Sequence, residues 1–410
     1  MSNLLITSLV VSITYTGIAA GQWPKIRSNR TTIALMGAGL LILLNQIKFN
    51  QIGQFLDLDT LILLFSMMII NANLRLSGFF RFAGAGVLRI TRQPRMFLLI
   101  EILLVAVLSA FFLNDTICLM FTPFLLDLLV SMDRKPVPYL IALATAANIG
   151  STATITGNPQ NMIIGIASGI SYSRFALALA PIALLSLGII WLVVVMLYPA
   201  EFKHDEAFTF APLQKPKIYK PLLIKCLVIM VGLLIALLIG APVAMSAFIA
   251  ACVLLFTRRL QPEKIFAEID WDILVFFSAL FIVTGSLEVN GISQKILAGL
   301  DLTRNLNLLK LSSISVVLSN LVSNVPAVLL LKPLVSAMPN PEPGWLTLAA
   351  TSTLAGNLTL LGSVANLIVA ESARRRGVVI TFWEYTRAGL IITFGSLLVA
   401  IGWLSLFIWK

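Results

Sequence analysis

Hydrophobic runs alternate with short polar loops from one end of the chain to the other. Runs close to the ~20 residues needed to cross a bilayer recur at 3–20, 31–47, 59–74, 139–170, 176–198, 222–240, 242–257, 272–287, 346–373 and 385–409. Two regions depart from this pattern. Residues 96–130 and 308–338 each hold two apolar arms around a polar break, Asn114-Asp115-Thr116 in the first and Ser323-Asn324 in the second. A polar tip at membrane depth is tolerated only when buried in protein or lining a cavity. Each region therefore predicts a helical hairpin that enters and leaves on the same side. The expected fold is an all-α polytopic membrane protein with about ten transmembrane helices and two re-entrant hairpins.

Composition agrees, since 59% of the 410 residues are hydrophobic and only 11% are charged. A soluble domain could not bury so much apolar surface. The excess of 29 Lys and Arg over 18 Asp and Glu does not point to nucleic acid, because the basic residues sit in short loops. With ten crossings and two hairpins, one side collects 20 of them and the other 6. The positive-inside rule then puts the first side in the cytoplasm and both termini outside, in a plasma (inner) membrane. The run 3–20 has no basic residue before it and is read as an uncleaved span. The basic segment from Arg75 to Arg92 carries Phe79, Phe80, Phe82, Val87, Leu88 and Ile90, and is read as an interfacial helix. Cys118, Cys226 and Cys252 lie in apolar stretches without metal-ligand spacing, and His204 lies in a charged loop, so neither disulfides nor a His/Cys metal site is expected.

The second half repeats the first in order. Asp57-Leu58-Asp59 aligns with Asp270-Trp271-Asp272, Asn114 with Asn324, Pro123 with Pro333, and Thr154, Gly157 and Asn161 with Thr359, Gly362 and Asn366. Five crossings and one hairpin separate equivalent points, so the second copy is inserted upside down, with a site expected near the midplane between the repeats. The expected division is a first repeat over 1–198 with hairpin 96–130 and broken helix 139–170, a cytoplasmic linker at 199–221, and a second repeat over 222–410 with hairpin 308–338 and broken helix 346–373.

The densest polar cluster inside a span runs from Thr145 through Asn148, Gly150, Ser151, Thr152, Thr154 and Thr156 to Gly157-Asn158-Pro159-Gln160-Asn161. Gly157, Asn158 and Pro159 are poor helix continuers, so the helix should break there and free carbonyls on one side and amide N–H groups on the other. The second copy holds Gly356, Asn357, Thr359, Gly362, Ser363 and Asn366 without a proline. Isolated Ser and Thr residues suit close helix packing. Asn148, Asn158, Asn161 and Asn366 need partners in hydrocarbon, and the amides of Asn161 and Asn366 are expected to serve the cavity rather than the fold. Asp115 at the first tip should face a cavity, a cation or a proton, and it also suits an N-cap. Lys332 either balances an anionic substrate or extends outward to the interface. Glu101, Asp127 and Glu371 lie nearer span ends and are read as interfacial or paired. Asn114-Asp115-Thr116 and Asn357-Leu358-Thr359 match a glycosylation pattern that membrane depth excludes.

These residues resemble the ion transporter superfamily, and within it most the arsenite permease and sodium:proton antiporter branch, with divalent-anion:sodium symporters and citrate carriers as relatives. The likeness spans nearly the whole chain. It is carried by Asn114-Asp115-Thr116 with Pro123, by 147–154 with Gly157-Asn158-Pro159-Gln160-Asn161, by Ser323-Asn324-Val325-Pro326, and by Gly362-Ser363 with Asn366. The resemblance implies a clamshell at each hairpin tip, with Asn114, Asp115, Thr116, Gly157 and Asn161 in one half-site and Ser323, Asn324, Gly362 and Asn366 in the other. The symporters' Ser-Asn-Thr tips bind sodium, whereas these tips read Asn-Asp-Thr and Ser-Asn-Val. The family's second proline is Gln160 here.

The function this implies is secondary active transport of a small anion or oxyanion, driven by H+ or Na+, without a cofactor and without any bound metal beyond a transported sodium ion. A sodium:proton antiporter is the alternative. The resemblance leaves open a homodimer. A membrane-embedded enzyme would need a nucleophile or metal constellation, and His-Glu-x-x-His is absent. ATP-driven transport finds no Gly-rich phosphate loop.

Overall fold

The computed structural model describes residues 3–20, 28–90, 93–202, 218–256, 261–292 and 306–409, with backbone alone at 3 and 85–90. His204, the greater part of the 199–221 linker, and the basic residues Lys25, Arg27, Arg92, Lys203, Lys215, Lys217, Arg258, Arg259, Lys295, Arg304 and Lys410 lie outside these residues. Among the described residues all regular structure is helical. Three long helices open the described chain, α1 (Asn3–Ala20), α2 (Arg30–Leu43) and α3 (Leu58–Ser77), with short helical turns at Phe49–Gln51 and Ile52–Phe55 between the last two. Next comes α4 (Phe79–Ile90), at the place read as an interfacial helix. Phe80 of α4 is buried and packs edge-on against Phe112 and Phe121, with ring centroids at 6.1 and 6.4 Å. This short helix is thereby tied to the first hairpin.

Both hairpins form where the polar breaks predict them. The first is α5 (Pro94–Phe111) and α6 (Asn114–Ser131), joined by Phe112 and Leu113 in place of a loop. Pro94 suits the first turn of α5, where a backbone N–H has no helical partner in any case. Helices α7 (Pro136–Thr152) and α8 (Pro159–Ser168) are the two halves of one interrupted span, and α9 (Tyr172–Leu197) completes the first half. The second half runs α10 (Lys220–Leu238), α11 (Val243–Leu255), α12 (Trp271–Val289), the hairpin α13 (Leu308–Val322) and α14 (Asn324–Ser336), the interrupted span α15 (Pro341–Ala355) and α16 (Val364–Arg374), and α17 (Phe382–Phe407). Among the described residues seven helices are long and apolar enough to cross a membrane by length and composition, and two of these, α5 and α6, are hairpin arms. Ile224, Val228, Val231 and Ile235 of α10 are exposed, as lipid-facing side chains must be.

Helix contacts repeat in pairs, as two inverted copies require. Helix α5 packs on α7 as α13 packs on α15; α6 packs on α16 of the other half as α14 packs on α8; α3 packs on α11 as α12 packs on α2. The same contacts sort the chain into a group holding the hairpins and interrupted helices with α9 and α17, and a group holding α1–α3 with α10–α12. Gly150 lets α7 approach α5, since a Cβ there would collide with the backbone of Ala106.

Candidate functional site

Each interruption is built locally by its own caps. Asn158 ends the first break, and its Oδ1 accepts from the Asn161 backbone N–H at 2.8 Å, while Pro159 occupies the first helical position of α8. Proline thus starts the second half-helix rather than kinking a continuous one. In the second break Ser363 is the N-cap of α16 and accepts from the Ala365 N–H at 3.2 Å. Asn161 Nδ2 donates to the carbonyls of Ser151 and Thr154 at 3.1 and 2.9 Å, and Asn366 Nδ2 donates to those of Gly356 and Thr359 at 2.8 and 3.1 Å. These equivalent amides close the carbonyls that the breaks release. They hold the fold of the breaks, a correction to the expectation that they serve the cavity rather than the fold.

The tips dock on these breaks. The Asn114 backbone N–H donates to Gly157 O at 3.0 Å, and a Cβ at Gly157 would come to 2.5 Å from Ser151 O. Asn324 lies against Gly356, where a Cβ would come to 2.9 Å from its Nδ2. Thr154 Oγ1 donates to Ala110 O at the end of α5. Gly362 abuts Gly356 O in the second break. Ser323 forms the second tip with φ +80 and ψ 160, a region that costs a non-glycine residue about 1–3 kcal/mol and is found where surroundings enforce it.

Asn148 joins the two half-sites. Its Oδ1 accepts from Asn114 Nδ2 at 2.9 Å and from Ser363 Oγ at 3.1 Å. Its Nδ2 donates to Asn357 Oδ1 at 2.9 Å and to Asn366 Oδ1 at 3.0 Å. One fully satisfied amide thus ties the first tip to the second break. Asn158 and Gln160 reach across likewise, both to Thr353 Oγ1, at 3.4 and 3.1 Å.

A cavity of about 240 Å3 lies between the two helix groups. Both tips reach it, through Asn114, Asp115, Ser323 and Asn324, as do the starts of both second half-helices, through Pro159, Gln160 and Ser363. Arg30, Thr31, Asp270 and Asp272 line it from the other group. Its charged lining is three aspartates and one arginine. The buried Oδ1 atoms of Asn114 and Asn324 have no hydrogen-bond donor among the described residues. Each tip thus holds one buried acceptor oxygen beside the cavity that the described residues leave without a donor. Asn148, Asn158, Asn161, Asn366, Thr154, Gly157, Thr359 and Gly362 support the cavity from behind, and Thr116 faces a smaller cavity on the other side of the first tip.

Lys332 is drawn away from the center, with Nζ 3.8 Å from Asp57 Oδ2. Asp127 pairs with Arg376, and Glu371 with Arg374 and Arg375, as their places near span ends suggest. Glu101 corrects its reading. It is 4% exposed, packed among Phe97, Leu104, Val105, Phe121 and Phe124, and neither carboxyl oxygen has a partner among the described residues. Arg30, Thr31, Asp270 and Asp272 line the site without standing out in the pattern of spans, and Asp270 is the one of them that lines both cavities. Its only signal was the repeat that aligns it with Asp57 just before a span.

Hairpins that bring polar tips to a shared cavity inside an otherwise apolar helical body have the architecture of a membrane transporter. The chain belongs to the citrate transporter family, which it matches over residues 18–355. An uncharacterized transporter of Mycobacterium tuberculosis is 31% identical over 99% of both chains, and a silicon efflux transporter of Oryza sativa subsp. japonica is 31% identical over 90% of both. In fold, the YdaH transporter of Alcanivorax borkumensis superposes with a TM-score of 0.64 at 14% identity, covering 100% of this chain and 98% of its own. MtrF of Neisseria gonorrhoeae gives 0.60 at 12% identity, with 100% and 95% covered.

Proposed function

We propose that this protein is a secondary active transporter that exports a small oxyanion, bound as its protonated, hydroxylated acid, in exchange for H+ or Na+. The observation that carries this reading is the unpaired acceptor oxygens of Asn114 and Asn324 in a cavity lined by three aspartates and one arginine. Hydroxyl groups satisfy those oxygens, whereas a fully ionised anion would meet Asp115, Asp270 and Asp272. The silicon efflux relative supports a hydroxylated oxyacid and the outward direction. Asp115, at the tip and on the cavity wall, is the coupling carboxylate in this reading. Residues 1–198 and 222–410 act as the two inverted repeats, with Asn114 and Asp115 in one half-site and Ser323 and Asn324 in the other. Access alternates as the hairpin group moves against the group of α1–α3 and α10–α12. In this reading the cavity wall at Arg30 and Asp272 lies toward the cytoplasmic side of the plasma membrane and both termini lie outside, as the distribution of basic residues supports.

Flux in proteoliposomes tests this. Silicic, arsenous, boric and citric acids are offered in turn, with proton and sodium gradients imposed separately. The expected result is gradient-driven movement of at least one small hydroxylated oxyacid, fastest at pH values where it is uncharged. Gradient-driven flux of citrate alone, or sodium:proton exchange that needs no solute, would overturn the substrate assignment.

A further inference from the structure

On the side of the first tip away from the second tip lies a smaller cavity of about 90 Å3. Asp115 and Thr116 of the tip, Asn71 of α3 and Asp270 before α12 all line it. Asn71 is 3% exposed, and its Nδ2 donates to Thr116 Oγ1 at 3.4 Å. Its buried Oδ1 has no donor among the described residues. The other charged groups at this cavity, Arg75 and Glu268, are paired with each other. Arg30 and Asp272 line the larger cavity beside it.

The repeat offers an internal comparison. Asp57 and Asp270 are equivalent residues, each just before the equivalent helices α3 and α12. Asp57 meets the second hairpin, where the ammonium of Lys332 lies 3.8 Å away. Asp270 meets the first hairpin and has no ion pair among the described residues; the charged group it shares its cavity with on that hairpin is Asp115. One copy carries its own cation on a side chain. The other copy presents two carboxylates, with Asn71 and Thr116, to a cavity wide enough for an ion and water.

We propose that Asp115, Asp270, Asn71 and Thr116 form a binding site for sodium at the inner side of the first tip. A hard cation takes carboxylate, amide and hydroxyl oxygens, and the site offers only such donors. Among the described residues no third acidic group joins a metal-holding cluster, which suits a monovalent ion that must leave in every cycle better than a tightly held divalent one. This assignment rests on the transport reading through Asp115; Asp270 lines the larger cavity as well, whereas Asn71 lines this one.

The test is the unfolding midpoint of the purified full-length protein in detergent, in sodium chloride against choline chloride at equal ionic strength and fixed pH. Wild type should show a saturable sodium-specific rise. Asp270→Asn and Asn71→Ala should each need about tenfold more sodium, in line with losing a partner of a metal site. Asp57→Asn, the equivalent change in the other repeat, should keep the wild-type response. Absence of a sodium-specific rise in wild type overturns the site, as does an undiminished response in both Asp270→Asn and Asn71→Ala. A rise produced by magnesium or by acid but not by sodium also overturns it. If Asp270→Asn fails to fold, Asn71→Ala carries the comparison. No flux enters this measurement, so its failure and that of the transport reading are separate results.

Discussion

Asp115→Asn should fold and insert normally, and exchange substrate, yet no longer move it against its gradient. The substitution keeps the size of the side chain in the first turn of α6; Asp115 is not the N-cap it was expected to be, since Leu113 holds that position and no side chain caps the helix. It removes the charge from the one carboxylate that sits at a hairpin tip and lines both cavities. A purely structural role in that turn would leave transport near wild type. A coupling role reduces net accumulation in proteoliposomes to simple equilibration, whichever ion gradient is imposed. Accumulation by Asp115→Asn at the wild-type rate, with unchanged response to pH and sodium, contradicts the assignment.

Asn148→Ala should be the most damaging single change to stability. Four hydrogen bonds end on this amide, from Asn114 and Ser363 and to Asn357 and Asn366. Each buried group left without a partner costs about 1–3 kcal/mol, so the summed loss is on the order of several kcal/mol. The unfolding midpoint in detergent should fall by roughly 5 °C or more, and transport should be lost with it. Asn148→Asp should not rescue it, because a carboxylate cannot donate to the two amide oxygens. A midpoint within about 1 °C of wild type for Asn148→Ala would show that the bridge is not what joins the two half-sites.

The features legible in the sequence are those that interrupt a local pattern. Asn114-Asp115-Thr116 and Ser323-Asn324 stand out because polar residues punctuate apolar runs, and both mark hairpin tips. Gly157-Asn158-Pro159 stands out for the same reason and marks the first break. What the pattern did not show depends on partners far away in the chain. The bonds of Asn148 to Asn357 and Asn366 span 209 and 218 positions, and nothing near Asn148 announces them. Lys332 could be read either way until Asp57 was found beside it. Asp270 sits just before a span, where a charged residue is ordinary; only the fold turns it toward the first tip. Glu101 was read as interfacial from its place near a span end, and helix packing instead surrounds it with aromatic and aliphatic side chains.

Alternating access is tested most directly by cysteine accessibility at Ile368, which lines both cavities. In a background with Cys118, Cys226 and Cys252 replaced, Ile368→Cys should react with an impermeant thiol reagent from the cytoplasmic side, and substrate should slow that reaction. Under a driving gradient, labelling from the outer side should rise only as labelling from the inner side falls. Simultaneous, undiminished labelling from both sides, or labelling from neither side in a protein that still transports, would contradict a single site that opens to one side at a time.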